Sequence, residues 1–351
     1  MGSSVLTRTR PRILVIGAGP AGLAAAARLL EAGDVEVEVM WMGHHLGGKA
    51  ASWVGEDGHL VEHGWHMILG FYQNLKQLMN NAGIDPHTTL HSMEGLSHVY
   101  NTTTGGLSRV VGKGRPLELM QHFLLWDAFP RTERRNFMRF MRQAYVEALT
   151  PMADLKIHDD VCFRTYAFHK GLRPHVMEYG LFRFFREAYF NYPESVSAYH
   201  VLQTLKYMSS QTNSEQFVLA GGYSDVLWDP IGRYIKSLGG QLTPYQMVTD
   251  LEWKERKITG VRVARPDDSH HYHGRQPWPN SVPEQKGSAY IKRDFDFLIS
   301  TIPQPNFVQL NEENRVMWQS SYFDRISRLR SAVTLSLTIM TKKVVGEFTG
   351  P

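Results

Sequence analysis

Between Arg12 and Gly33 the chain reads RILVIGAGPAGLAAAARLLEAG, and this run restricts the fold more than any other part of the sequence. Ile13 to Ile16 is a short β-branched apolar stretch and reads as a buried strand. Gly17, Gly19 and Gly22 follow at the G-x-G-x-x-G spacing, and Ala21 to Leu30 reads as a helix apolar nearly all round, hence buried. A second strand-like stretch, VEVEVMW, completes a βαβ unit. Each glycine has a task in such a unit. Gly17 permits the tight turn, Gly19 lets backbone approach a pyrophosphate, and Gly22 lets helix and strand pack closely. Unpaired N–H groups and the positive dipole end at the helix start favour a diphosphate. The expected binding residues are therefore Gly17, Ala18, Gly19, Pro20, Ala21 and Gly22.

Beyond the second strand come Leu46-Gly47-Gly48-Lys49, an Asp57-Gly58 hairpin signal, and Glu62-His63-Gly64-Trp65-His66. These pieces resemble the flavin-dependent amine oxidase superfamily. Within it, the segment from Gly47 to Leu75 looks most like the phytoene and ζ-carotene desaturases, and squalene-type desaturases share the pattern. The resemblance extends more loosely to about residue 345. It implies FAD as the cofactor, in a Rossmann-like α/β fold of the GR2 type carrying an inserted, mostly helical plus sheet substrate domain. It also implies that Gly47, Gly48 and Lys49 face the diphosphate, that Gly64, Trp65 and His66 run past the flavin ring, and that Val248 holds adenine through its backbone.

Two features depart from that pattern. Dinucleotide sites carry an acid at the tip of the second strand, ~20 residues beyond the glycines, bonding the ribose hydroxyls. Counted back from Gly47-Gly48, that position is Trp41, and an indole offers one donor and no acceptor. Glu36 and Glu38 lie nearer the strand start and are expected to point elsewhere. Second, relatives place a further FAD-binding segment near the C-terminus, which is not found between Gln304 and Pro351. Three readings follow: a truncated copy, a subunit completed by a partner chain, or a lineage that has lost flavin.

With 351 residues, 42% hydrophobic and 21% charged, the chain is globular and long enough for one large or two interleaved domains. The expected boundaries are a tail over 1–11, a first FAD-binding part over 12–89 and a substrate domain over 90–215. A second FAD-binding part covers 216–303, with a surface insertion at 266–288, and 304–351 returns to the substrate domain. The single cysteine, Cys162, excludes an internal disulfide and reads as a buried small hydrophobe. No run of 18 apolar residues exists, so no transmembrane helix is expected. The location expected is cytoplasmic, with peripheral membrane contact left open by the net charge of +4. Nucleic acid is not expected as a partner.

The middle of the chain reads as helices over Pro116–Trp126, Thr132–Leu149, Val161–Lys170, His175–Phe190 and Ser195–Met208, most of their aromatic side chains being core. Leu117 to Arg142 places Arg131, Arg134, Arg135, Arg139 and Arg142 beside bulky apolar groups. That is either an amphipathic helix with a solvated basic face or one lying in a membrane interface. Leu181 to Arg186 suits either core packing or an apolar tunnel. Helix Val226–Leu238 precedes a strand pair, Gln241–Leu251 with Ile258–Val263. His270, His271 and His273 sit in the surface insertion, and no metal site is expected.

No Ser-His-Asp, Cys-His or paired-carboxylate set of convincing spacing appears, so the chemistry expected is the cofactor's, with His66 the one candidate catalytic side chain. The resemblance implies an FAD-dependent desaturase removing hydrogen from a long apolar isoprenoid or polyene. The alternatives are a half-site subunit of a heteromeric flavoenzyme and an FAD-dependent amine or porphyrinogen oxidase.

Overall fold

The computed structural model describes residues 10–55, 58–64, 66–92, 97–100, 107–110, 130–181, 185, 189–210, 215–255, 257–264, 289–312 and 315–331. Several expectations lie outside these residues: Trp65, helix Pro116–Trp126, most of Leu181 to Arg186, and the insertion 266–288 with its histidines. The described residues form two compact units. One comprises the chain up to 66 with 74–89 and 219–331, the other 67–73 and 90–218.

The first unit is built on β1 (Arg12–Ile16), α1 (Pro20–Ala32) and β2 (Glu36–Met40). The hairpin of β3 (Ser52–Val54) and β4 (Leu60–Glu62) follows. Later in the chain come β5 (Gln241–Thr243), β6 (Met247–Lys254), β7 (Lys257–Ala264), β8 (Tyr290–Lys292) and β9 (Phe297–Ser300). A parallel sheet runs in the order β5-β2-β1-β9, with Ile16 opposite both Met40 and Ser300. Parallel strands covered on both faces read as continuous apolar runs, and Ile13 to Ile16 are all buried. On one face Leu14, Ile16 and Met40 pack against Leu251, Val261 and Val263 of the antiparallel β6-β7-β8 sheet. On the other, α1 lies beside helix Asp229–Ser237.

Helix α1 is buried on one side only. Gly22, Leu23, Ala26 and Ala27 face inward, whereas Pro20, Ala21 and Arg28 are exposed. Its alanines favour helix without requiring burial, so an apolar circumference overstated how deep the helix lies. The expected strand Gln241–Leu251 is two strands in different sheets, β5 and β6, because Pro244 and a left-handed Tyr245 (φ 56°) break it. The helix expected from Val226 opens with a wide π turn, Ser224–Trp228, before Asp229–Ser237. Residues 304–331 belong to this unit rather than returning to the substrate domain, since Ile302 and Leu310 pack against the cluster around Leu251.

In the second unit Ile68–Leu69 pairs antiparallel with Gln216–Leu219, which also borders Leu90–Ser92. That pairing draws 67–73 and 216–218 out of the expected FAD-binding parts. Ser97–Tyr100 and Leu107–Val110 form a hairpin. Three helices, α2 (Arg131–Ala148), α3 (Phe163–His169) and α4 (Ala198–Ser210), enclose a core of Phe137, Phe140, Ala144, Phe163, Tyr166, Phe185 and Leu202. Core packing is thus the fate of these aromatics, Phe185 included. The apolar face of α2 is used internally and Arg131, Arg135, Arg139 and Arg142 are exposed, the pattern of a solvated basic face. Helix His175–Phe190 is not continuous: Pro174–Val176 widens into a π turn at Met177–Leu181, and Phe190 is left-handed (φ 49°) and exposed. Cys162 is half-buried at the start of α3 with its thiol against Thr165 Oγ1, not an inert core residue.

Candidate functional site

The carboxyl ends of β1 and β2 meet two glycine turns. Gly17 leaves β1 with φ 106° and donates its N–H to the Met40 carbonyl at 2.8 Å. Only glycine adopts that angle without strain. A Cβ on Gly22 would lie 1.9 Å from the Gly17 carbonyl oxygen, so the first helical turn sits directly on the end of the strand. Thr301, just beyond β9, locks the junction by donating its hydroxyl to the carbonyls of Ile16 (2.9 Å) and Gly17 (3.2 Å).

The second turn closes onto the first. Gly47 donates its N–H to the Ala18 carbonyl at 2.9 Å, and a Cβ on Gly48 would stand 3.1 Å from the Gly19 Cα. A Cβ on Gly47 would meet the Trp228 ring at 2.2 Å, while the Trp228 indole N–H donates to the Ala50 carbonyl. Behind this, Ser52 and Ser224 exchange hydrogen bonds at 2.9 and 2.8 Å, both buried, and Ser224 Oγ reaches the Leu46 carbonyl. Gly17, Ala18, Gly19, Gly22, Gly47 and Gly48 are therefore one structure. Pro20 and Ala21 occupy its open helix start, and Lys49 is exposed on a single 3-10 turn, Gly48–Ala50. Val248 lies on β6 opposite Val263, packed against the cluster containing Ile16 and Met40. Trp41 directly follows β2.

The segment after β4 is clasped by Tyr223. Its hydroxyl donates to the His66 carbonyl, its backbone N–H bonds the Glu62 carboxylate, and its ring meets the His66 imidazole edge-on at 5.6 Å. Gly64 is left-handed (φ 144°), and its carbonyl receives His66 Nδ1–H at 2.8 Å. In a neutral ring that bond makes Nδ1 the donor and leaves Nε2 as the acceptor. Burial lifts the Glu62 carboxyl above the usual range, against the Tyr223 N–H and the His66 charge. Burial and the Glu62 charge push the Tyr223 phenol up to about 12. Burial, with the His66 and Lys49 charges, holds His63 below the usual imidazole range. His45 is lowered by burial and by His44, against Asp225. His45 and His63 both lie against the Trp53 ring.

Thr301, Trp228, Ser52, Ser224 and Tyr223 escaped the sequence reading. The Gly221-Gly222 pair before Tyr223 was the available signal: a Cβ on Gly222 would come within 2.8 Å of Leu60 and Ser52. No group of three metal-ligating side chains occurs among the described residues.

The two turns fit a dinucleotide diphosphate. No side chain caps α1 at Gly19, and a Cβ there would meet no protein atom within 4 Å, leaving the space over the helix start open. The flavin containing amine oxidoreductase family model matches residues 20–345. Among curated proteins, ζ-carotene desaturase of Synechocystis sp. is 24% identical over 265 residues, covering 72% of this chain and 53% of that protein. The Arabidopsis thaliana ζ-carotene desaturase is 27% identical over 257 residues, covering 70% and 44%. This chain thus spans about half the length of the curated relatives it matches. An oxidoreductase from Methanosarcina mazei shares the fold with a TM-score of 0.61 at 17% identity, covering 91% of this chain and 65% of that one. A fatty acid isomerase from P. acnes gives 0.55 at 17%, covering 89% and 64%. With two apposed glycine turns at the carboxyl ends of β1 and β2 and a family model spanning most of the sequence, the chain belongs to the flavin containing amine oxidoreductases, whose cofactor is FAD.

Proposed function

We propose that this chain is the catalytic part of an FAD-dependent desaturase acting on a long apolar polyene or isoprenoid. The observation that supports the reading most is the closure of the second glycine turn onto the first, Gly47 N–H to Ala18 carbonyl, beside the His66 segment. Desaturation removes two hydrogens from adjacent carbons, one as hydride and one as a proton, and forms the double bond. Bound FAD supplies the hydride acceptor. The residues here do the rest. Backbone N–H groups of Ala21 and Gly22 and the Lys49 ammonium would hold the diphosphate, Val248 would present backbone groups to adenine, and Gly64 and His66 would line the ring. His66 Nε2, left as the lone-pair nitrogen by the Gly64 bond, is the atom able to take the proton. The relatives named above as ζ-carotene desaturases direct the choice of substrate to an apolar chain. Exposed Arg135, Arg139 and Arg142 on α2 offer charge to an anionic lipid surface holding such a substrate.

Trp41 favours a second reading, a flavin-free subunit working with a partner chain. The purified protein is the test of both. Oxidised-flavin absorption at near-stoichiometric amount, followed by desaturation of ζ-carotene or phytoene in liposomes, supports the enzyme. A folded protein that takes up no added FAD rejects it. Flavin binding with turnover of amines and none of polyenes moves the substrate to the amine class.

A further inference from the structure

Tyr223 reaches from a firmly held turn to a segment with little hold of its own. It directly precedes the π turn Ser224–Trp228 and is buried. π turns are rare and recur at functional sites. The neighbours of Tyr223 on both sides are locked against the β3–β4 hairpin. A Cβ on Gly222 would come within 2.8 Å of Leu60 and Ser52, and Ser224 exchanges hydrogen bonds with Ser52. At its far end the same turn sets Trp228 against Gly47. His66 has no such base. It lies between β4 and the strand Ile68–Leu69 in irregular chain, and its ring bond to the Gly64 carbonyl (2.8 Å) reaches back only two residues. That bond orients the ring within its own segment and does not tie the segment to the fold. Among the described residues, Tyr223 is the one that hydrogen-bonds His66 from outside the segment. Its hydroxyl donates to the His66 carbonyl, and its ring meets the imidazole edge-on at 5.6 Å. His66 Nε2 has no partner among the described residues and is not enclosed, so that nitrogen is open to a ligand.

We infer that Tyr223 is the positioning residue for His66, its hydroxyl holding the segment so that Nδ1 stays on the Gly64 carbonyl and Nε2 stays free. The inference rests on the reading above, in which Nε2 takes the proton, and names the group that keeps that nitrogen in place. A base must stand within hydrogen-bond reach of the hydrogen it removes, and a small misplacement costs rate steeply. The phenol is not itself the base, because its proton is committed to the His66 carbonyl.

Tyr223→Phe removes the hydroxyl and keeps the ring and the backbone N–H. The readout is the pair of His66 imidazole ¹⁵N resonances in flavin-free protein, assigned by their loss in His66→Gln. With the ring neutral, the wild type is expected to show one protonated and one bare nitrogen, Nε2 being the bare one. In Tyr223→Phe the two signals are expected to move toward each other as the tautomers mix. A role in packing alone would lower the melting temperature and leave both signals where they were, and that result overturns the inference. Wild-type signals that are already averaged overturn it too, whatever becomes of the variant. In flavin-loaded enzyme with ζ-carotene in liposomes, Tyr223→Phe is expected to lose roughly five- to tenfold in kcat, with KM and bound flavin unchanged. An unchanged kcat overturns the positioning role. Wild-type protein that takes up no FAD rejects the desaturase reading, and the imidazole signals still decide whether Tyr223 holds His66.

Discussion

Gly19 and Gly47 are both glycines of the cradle, yet they answer to different demands. Alanine at Gly47 puts a Cβ 2.2 Å from the Trp228 ring at a φ of 103°. Gly47→Ala is expected to cost about 2–3 kcal/mol in urea unfolding and to lose flavin as a consequence. At Gly19 the backbone is extended (φ −75°) and the added methyl meets nothing in the protein. Gly19→Ala should melt like wild type while retaining at least tenfold less flavin, read as bound absorbance after gel filtration; normal retention would mean the diphosphate does not sit over the helix start. The half-buried imidazoles of His45 and His63 set a pH dependence. His45 and His63 titrate below 6.5 when folded and near 6.5 when unfolded. The unfolded state therefore binds more protons, and flavin-free stability falls as pH drops through 6.5 toward the folded values. The double variant His45→Gln with His63→Gln should flatten the urea midpoint between pH 7 and 5; an unchanged slope would place the acid sensitivity elsewhere.

Elements were legible in proportion to how local their causes are. The first βαβ unit follows from apolar run, glycine spacing and β-branching within about thirty residues, and it stands where the sequence places it. The hairpin β3–β4 was marked by Asp57-Gly58. What was not legible depends on distant partners. Nothing near Thr301 indicates that its hydroxyl caps β1 across 285 residues, and Ser52 finds Ser224 only in the fold. The π turns at 177–181 and 224–228 likewise answer to packing rather than propensity. In the helical unit the hidden element is a hub at Glu147 of α2. It accepts from the Tyr166 hydroxyl (2.8 Å), His158 Nε2 (2.7 Å) and the Lys170 ammonium (2.7 Å). Glu147→Ala strands the buried Tyr166 hydroxyl and should cost about 2 kcal/mol in the unfolding of that unit. Glu147→Gln, which can still accept from Tyr166, should recover part of it.

At the scale of the whole molecule, every turn residue of the cradle lies in the first unit. A ligand held there stabilises the fold by linkage, about 2.7 kcal/mol at a hundredfold excess over its dissociation constant. Hydrogen exchange with and without FAD should accordingly show protection in 12–66 and 224–264, with smaller change in α2, α3 and α4. Equal protection of both units would mean that they open together. The junction closed by Thr301 has a kinetic consequence as well. β1 and β9 are neighbours in the sheet, yet Ile13 faces Phe297 across nearly the entire described chain. Closing so long a loop is slow relative to forming helices and hairpins. A ribosome must deliver β9 before β1 gains that neighbour, so capture of a nucleotide by the nascent protein is expected only after residue 300 has been made, and in refolding the recovery of yellow colour should track the slowest phase.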